Sequence, residues 1–448
     1  MNRLIIFITA FLSYAVQAQE GSVPIRMTLQ EALQISRKQQ PDLLNAERNI
    51  AYARAATREA KSGYLPKLTA EVDMRYNPII QTSILPANAF NPNNNPKDLI
   101  PIQFGTPWTG TSGLRLKQPV YDPSKLTAIN SSKVAIDLAK AQEKKIIAER
   151  EEEIIKAWYA ILLAKARLEY TLVDQKRTSS NAALVEEQLK NGRALENDLQ
   201  DAKLRIRIVD IDKEKNRLDI FNAQVYLSYM MGYDTLQLID PMESLLLASK
   251  TDTASWKQLP QLHASIAARP EIEEEKVNSA IRSLDLEQTK ASRLPTINLE
   301  GFLGANNFTN TFDPLGNWYG NAFVGLSFRF PIYSGGEKSS QVEKLQIQQE
   351  QQKNTVRKLE QEAYYDILNA RNALQYQYRQ AELQQERIQV QEGRLDIIRN
   401  RIVEGRATAQ DLLDEETKLS EIRNNLYQNL YDYLVALAHY NRAIGGKM

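Results

Sequence analysis

The chain has 448 residues, with 56 Lys+Arg set against 55 Asp+Glu, two histidines and no cysteine. The near-cancelling charge offers no clustered basic field for nucleic acid, and the missing cysteines exclude thiol nucleophiles, disulfides, Cys/His zinc sites and a thioether-linked lipid. His263 and His439 lie far apart in sequence, which leaves few candidates for a catalytic triad, and each reads as an ordinary helix residue rather than a ligand.

Met1-Asn2-Arg3, the apolar run Leu4 to Val16 and the small residues of Val16-Gln17-Ala18 predict a signal peptide over residues 1–18, cleaved after Ala18, and hence export. The run is too short to cross a bilayer, and no other segment approaches 18 consecutive apolar residues.

Beyond it the chain is written twice. Gln40-Pro41-Asp42 and Tyr64-Leu65-Pro66-Lys67 recur as Arg269-Pro270-Glu271 and Arg293-Leu294-Pro295-Thr296, both displaced by 229 (270 − 41 and 295 − 66). LRLKQPVY, ending at Tyr121, recurs as LSFRFPIY, ending at Tyr333, displaced by 212 (333 − 121). Gly192-Arg193-Ala194 recurs as Gly405-Arg406-Ala407, and Gly232 recurs as Gly445, each displaced by 213 (405 − 192 and 445 − 232). The first repeat therefore occupies residues 19–232 and the second 258–448, with an irregular linker at 233–257 lying against the body.

Within each repeat two helices lead to a strand, a loop turns the chain into a second strand, and a Pro-Val/Ile-Tyr corner opens a very long helix that ends at Gly-Arg-Ala before a last helix. Thr28 to Glu31 reads as a capping box, and Pro123 suits the first turn of the long helix. Nothing breaks the pattern from 124 to 190, about 100 Å of helix at 1.5 Å per residue; its counterpart covers 337–403. Ile147, Ile154, Ile161 and Leu168 fall seven apart. So do Leu412, Leu419, Leu426, Tyr433 and Tyr440, matched in the first repeat by Leu199, Ile206, Lys213, Ile220 and Leu227. That spacing is the seam of helices packed in coiled-coil fashion.

The strands, at 67–77, 111–120, 296–305 and 322–330, alternate. Leu68, Ala70, Val72, Met74 and Tyr76 oppose Thr69, Glu71, Asp73, Arg75 and Asn77; Leu114 and Leu116 oppose Arg115 and Lys117; Ile297, Leu299 and Leu303 oppose Asn298 and Glu300; and Val324, Leu326 and Phe328 oppose Ser327 and Arg329. One greasy face, one charged face and aromatics near the ends (Tyr76, Trp108, Trp318, Tyr319) match a membrane-spanning β-barrel with a wet lumen. Four strands cannot close a barrel, and open edges are not tolerated in lipid, so the protomer must assemble; a homotrimer supplies 12 strands. Pro78 to Pro107, rich in Asn and Pro, reads as a mobile external loop.

The duplicated plan, the Leu-Pro entry to each outward strand, the corners at Pro119 to Tyr121 and Pro331 to Tyr333, and the Gly-to-Asp-Leu helix tips together resemble the TolC-type outer-membrane factor family over nearly the whole mature chain. The resemblance implies a mostly α fold with a small β part: duplicated long-helix coiled-coil repeats plus four strands contributing to a trimeric 12-stranded outer-membrane β-barrel, continuous with a periplasmic α-helical tunnel. It implies no enzymatic activity and no cofactor. The function implied is the outer-membrane exit channel of a tripartite efflux pump or type I secretion system, working with a periplasmic adaptor (membrane fusion) protein, an inner-membrane transporter and outer-membrane lipid.

By position, Asp411 and Asp414 match the family's aspartates that ring the pore constriction and favour cations, since three copies would set a ring of carboxylates at the narrowest point; acids at a helix start are also favoured on local grounds. The family often has a basic residue two positions after the tip glycine, pairing with an acid of the first repeat. Ala407 stands there, with Arg406 adjacent and Asp198 at the acidic position, so the expected gate network comprises Asp198, Arg193 and Arg406 in rewired form. The tips at Gly192, Arg193, Gly405 and Arg406 are where the family meets its adaptor. The competing reading is a periplasmic coiled-coil scaffold or pump adaptor without a pore, which would need no lipid-facing strands.

Overall fold

A computed structural model describes residues 24–89, 95–249 and 261–446; the expected signal peptide lies outside the described residues, as do residues 250–257 of the linker. The chain divides into two compact units. The first gathers the residues up to Ile50, Leu138–Val277 and Lys353 onward, and the second comprises Ala51–Asp137 and Asn278–Gln352. None of the described helices is long and apolar enough to cross a membrane.

Strand β1 (Ile25–Met27) leads to α1 (Leu29–Gln39), whose start is closed as expected: the Thr28 amide donates to Glu31 Oε2 at 2.7 Å and the Glu31 amide to Thr28 Oγ1 at 3.3 Å. Helix α2 (Pro41–Ser62) follows, then β2 (Lys67–Tyr76), β3 (Thr82–Pro86), β4 (Leu99–Gln103) and β5 (Trp108–Tyr121). Pro123 opens α3 (Pro123–Lys190), where its lost N–H has no partner to miss, and α4 (Glu196–Met230) completes the first repeat. In the linker lie β6 (Ile239–Pro241) and the short α5 (Leu245–Ala248). The second repeat runs through α6 (Leu262–Ala267), α7 (Pro270–Ala291), β7 (Thr296–Thr309), β8 (Trp318–Arg329), α8 (Glu337–Val403) and α9 (Ala409–Ala443).

Two segments are more ordered than their composition suggests. Within 78–107, β3 and β4 pair antiparallel from Thr82↔Gln103 to Pro86↔Leu99; Leu85, Ile100 and Ile102 are half-buried on one face while Ile84 and Leu99 stay exposed on the other, and Pro86 and Pro101 occupy a two-stranded ribbon in which each strand keeps a free edge. In the linker, β6 pairs parallel with β1 through Ile25↔Ile239 and Met27↔Pro241, and Ile239 and Leu245 are fully buried. Neither partnership can be read locally, because β1 and β6 are three residues long and about 210 positions apart.

In the first unit most of the buried apolar side chains form one extended core. It takes Ile154, Trp158, Ile161 and Leu162 from α3, Ile367, Leu374 and Leu395 from α8, and Leu412, Leu419, Leu426, Tyr433 and Tyr440 from α9. All five expected seam residues of α9 are therefore buried. Helix α4 follows its seam less closely: Leu199 and Leu227 are buried, but between them the buried positions are Ala202, Val209, Asn216 and Gln224, and Lys213 turns aside to Asp210 at 3.5 Å. Ala202, Val209 and Asn216 keep the seven-residue spacing three positions further on, which is the other apolar position of the same heptad.

In the second unit the four long strands form one antiparallel sheet in the order β2-β5-β7-β8. The repeats meet at its centre, β5 against β7, and β2 and β8 are its edges. The strands extend beyond the apolar alternation because Trp108 and Trp318 join the ladder, opposite Tyr76 and Asn307 respectively.

Candidate functional site

The registers place Leu68, Leu116, Gly301 and Val324 in one row across the sheet, and Ala70, Leu114, Leu303 and Ala322 in the next. This face is uncovered: Val72 is 79 % and Val324 80 % exposed. The opposite face carries the charges. Arg115 donates from Nε and Nη2 to Glu71 Oε1 at 2.8 and 2.6 Å, and Arg75 pairs with Asp73 at 3.0 Å. An aromatic sits among them that the alternation did not single out. Phe302 is buried on the charged face, under the Arg115 guanidinium at 5.4 Å from the ring centroid and stacked on Phe323 at 6.1 Å.

Its seat is made by Gly113 and Gly304, which face each other across β5 and β7. A Cβ on Gly113 would lie 2.7 Å from both the Phe302 ring and the Gly304 Cα, so an aromatic covers a glycine pair that no side chain can fill. Gly304→Val is expected to disrupt the β5–β7 register and lower the yield of folded, detergent-extracted protein severely, whereas Gly320→Val, at an open position in the same sheet, should leave it unchanged.

In the first unit, the α3–α4 and α8–α9 tips share one geometry. Gly192 has φ +68° and Gly405 φ +73°; the Arg193 amide donates to the Gln188 carbonyl at 2.8 Å, and the Arg406 amide to Arg401 at 2.8 Å. Both are Schellman caps, for which glycine is required at the left-handed position. Each following helix then starts on an acid. The Thr408 amide and hydroxyl donate to Asp411 Oδ2 at 2.8 and 2.7 Å, and the Asp411 amide returns a bond to Thr408 Oγ1 at 3.2 Å. In the first repeat Leu195 replaces the threonine, and only its amide bonds Asp198, at 2.8 Å. These bonds hold the Asp411 carboxyl below its ordinary pKa, so it is charged at neutral pH. Asp414, one turn on, accepts from Gln410 at 2.8 Å, and both aspartates are exposed.

The structure does not bring the expected gate residues together within one protomer. Asp198 is engaged by Leu195, Arg406 pairs with Glu404 at 3.2 Å, and Arg193 makes no ion pair among the described residues. Arg193 and Ala407 both line a cavity of about 390 Å³ between the tips. Ala407 is half-buried against the main core, and Ala194 and Ala409 pack on a separate cluster of Ala182, Val185, Leu199 and Ala202. Sequence reasoning overlooked Asp201, the first-repeat equivalent of Asp414 at the same displacement of 213 that links Asp198 to Asp411 (414 − 201). It also overlooked two exposed stripes at seven-residue spacing: Leu204, Ile211, Leu218 and Val225 on α4, and Tyr376, Leu383, Val390 and Ile397 on α8.

Two buried polar networks tie the helices of this unit together. Nearer the tips along the chain, Asp174 meets Arg177, Arg205 at 3.6 Å and Ser420 at 3.2 Å, while Glu416 accepts from Asn181 and lies 3.4 Å from Arg177. Burial pushes the Glu416 carboxyl up, against the pull of Arg177. In the second network Glu152, 3 % exposed, accepts from Arg442 at 2.7 Å and from Lys156 at 2.6 Å. His439, read from sequence as ordinary, stands 3.3 Å from both Glu152 and Asp366. Its hydrogen bond to Glu152 raises its pKa against burial, and the Asp366 charge adds to the effect. A group raised in this way stabilises fully below its ordinary value of 6.5, and the contribution fades as pH climbs through the raised value. The stability lost in His439→Gln, roughly 1 kcal/mol because the half-exposed pair is screened by solvent, should be largest near pH 6 and shrink towards pH 9 in denaturant melts.

The family model described as "Outer membrane efflux protein" matches residues 32–233 and 262–446. The chain is 21 % identical over 352 residues to the outer membrane protein TolC of Vibrio cholerae (75 % of this chain, 76 % of the relative) and 23 % identical over 439 residues to TolC of Escherichia coli (93 % and 82 %). Over 195 residues it is 25 % identical to the proteases secretion protein PrtF of Dickeya chrysanthemi (42 % and 40 %). Among solved structures, CusC matches with a TM-score of 0.76 at 17 % identity (95 % of this chain, 94 % of that one), and the outer membrane protein VceC of Vibrio cholerae with 0.71 at 16 % (93 % and 96 %).

Proposed function

The chain belongs to the outer membrane efflux protein family, and from that premise we propose that three copies assemble into one conduit whose barrel lumen is the charged face of the sheet and whose periplasmic constriction is ringed by Asp411 and Asp414. The protein is an outer-membrane exit channel for efflux or secretion, not an enzyme, and works with adaptor and inner-membrane transporter proteins. What supports assembly of several copies is the four-stranded sheet itself: both edges are unpaired among the described residues, one face is apolar and exposed, and four strands are half of the smallest membrane barrel, while three copies would supply twelve. The exposed stripes of α4 and α8 support it, since a seven-residue apolar seam seeks a helix of another copy once its own protomer leaves it bare. The outward sheet face would then contact outer-membrane lipid, and the tip residues Gly192, Arg193, Gly405 and Arg406 the adaptor.

Conductance of the purified, detergent-extracted protein in a planar bilayer tests this reading. Asp411→Asn/Asp414→Asn is the informative variant, because an asparagine oxygen still accepts the Thr408 amide while the charge is gone. A small cation-selective conductance in the wild type that loses its selectivity in the variant is expected. Selectivity retained in the variant would limit Asp411 to helix capping and Asp414 to its bond with Gln410, and a protein that stays monomeric without detergent would remove the pore altogether.

A further inference from the structure

The internal duplication contains a register for the contact between copies. Moving β2 onto β7 by 229 residues and β5 onto β8 by 212 carries all ten β2–β5 pairs onto β7–β8 pairs: Lys67↔Lys117 becomes Thr296↔Arg329, and Tyr76↔Trp108 becomes Ala305↔Gly320. The two hairpins are therefore the same object used twice. Between them the β5–β7 seam joins the second strand of the first hairpin to the first strand of the second. The free edge of β8 belongs to the second strand of the second hairpin, and the free edge of β2 to the first strand of the first.

Resting on the assembly proposed above, we infer that β8 of one copy pairs antiparallel with β2 of the next in the register of the β5–β7 seam. Lys117↔Glu300 then becomes Arg329 opposite Glu71 of the next copy, Arg115↔Phe302 becomes Ser327 opposite Asp73, and Leu116↔Gly301 becomes Phe328 opposite Val72. The faces agree: Phe328, Leu326 and Val324 meet Val72, Met74 and Tyr76 on the apolar side, while Arg329, Ser327 and Gly325 meet Glu71, Asp73 and Arg75 on the charged side. A slip by one residue would turn every greasy side chain of the edge strand to the wrong face. Charge chooses among the rest. Arg329 makes no ion pair among the described residues, and Glu71 already holds Arg115 on its other flank, so each junction sets Glu71 between two arginines on neighbouring strands. The irregularity between Pro119 and Tyr121 maps to Pro331 and Tyr333 and leaves Ile332, now 90 % exposed, as the bulged residue of the seam.

The chain has no cysteine, so paired cysteines report the register directly. Directly opposed antiparallel residues have Cα atoms about 4.5–5.5 Å apart, within disulfide range, and β2 and β8 of one chain are too far apart across the sheet to join. Ser327→Cys/Asp73→Cys should oxidise to a ladder ending in a covalent trimer on non-reducing gels, several times faster than Ser327→Cys/Arg75→Cys or Gly325→Cys/Asp73→Cys, each two residues out of register. The native mass of every variant in detergent is measured alongside. If an out-of-register pair links faster, or Ser327→Cys/Asp73→Cys has trimeric mass but does not link, the register is wrong and the assembly stands. If the mass is that of one chain, the assembly itself fails.

Discussion

Arg442→Met should destabilise the helical unit by about 3 kcal/mol per chain, read as a lowered denaturant midpoint of the detergent-solubilised protein. Arg442 is only 23 % exposed, donates to Glu152 at 2.7 Å and to Glu271 at 2.9 Å, and lies 3.6 Å from Glu149. Methionine keeps much of the aliphatic stem and removes the charge, so the loss reports the carboxylates left behind rather than a void. Burial by itself pushes Glu152 up, but hydrogen bonds from His439, Arg442 and Lys156 outweigh it and hold the carboxyl far below its ordinary range. Its contribution is therefore complete above its ordinary pKa of 4.5 and falls away as acid protonates it. Lys156 and His439 remain as partners in the variant, which places the expected loss at the low end of the range for a broken buried pair. Adding Glu152→Gln removes the stranded charge, so the double variant should be less destabilised than the two single losses together. Simple additivity would show that the network members act independently.

Trp158→Ala is expected to cost about 3–5 kcal/mol, measured the same way. Trp158 is 0 % exposed in the middle of α3, in the core cluster that also holds Ile154, Ile161 and Leu162. Removing the indole leaves a cavity between long helices that cannot collapse locally without shifting whole turns. Among the described residues its Nε1–H has no hydrogen-bond partner, so Trp158→Phe drops an unsatisfied donor along with part of the ring. It should cost well under half as much. A comparable loss in both variants would mean that shape, not buried volume, dominates at this position.

Legibility in the sequence differed by element. The capping box at Thr28, the helix start at Pro123 and the α9 seam from Leu412 to Tyr440 were readable because each is set by neighbours within one or two turns. The two faces of β2, β5, β7 and β8 were readable because strand side chains alternate strictly. The polar partners of His439 were not readable, for the opposite reason. Its partners Glu152 and Asp366 are 287 and 73 positions away, and no periodicity in α9 announces them. Within one protomer Asp198 and Arg406 bond locally, to Leu195 and Glu404.

By itself, then, the sequence determined the duplication, the long helices, the amphipathic strands and the glycine-capped tips, all of which follow from local periodicity and backbone preference. Only the tertiary structure decided that β5 and β7 meet at the centre of the sheet, that Phe302 fills the gap over Gly113 and Gly304, and that Arg442 binds Glu152 and Glu271 at once. Those arrangements depend on which distant segments lie side by side. Their energy comes from covering ring surface and from pairing charges whose burial would otherwise be costly, with partners more than a hundred residues away, and a pattern within one helix or strand carries no trace of that.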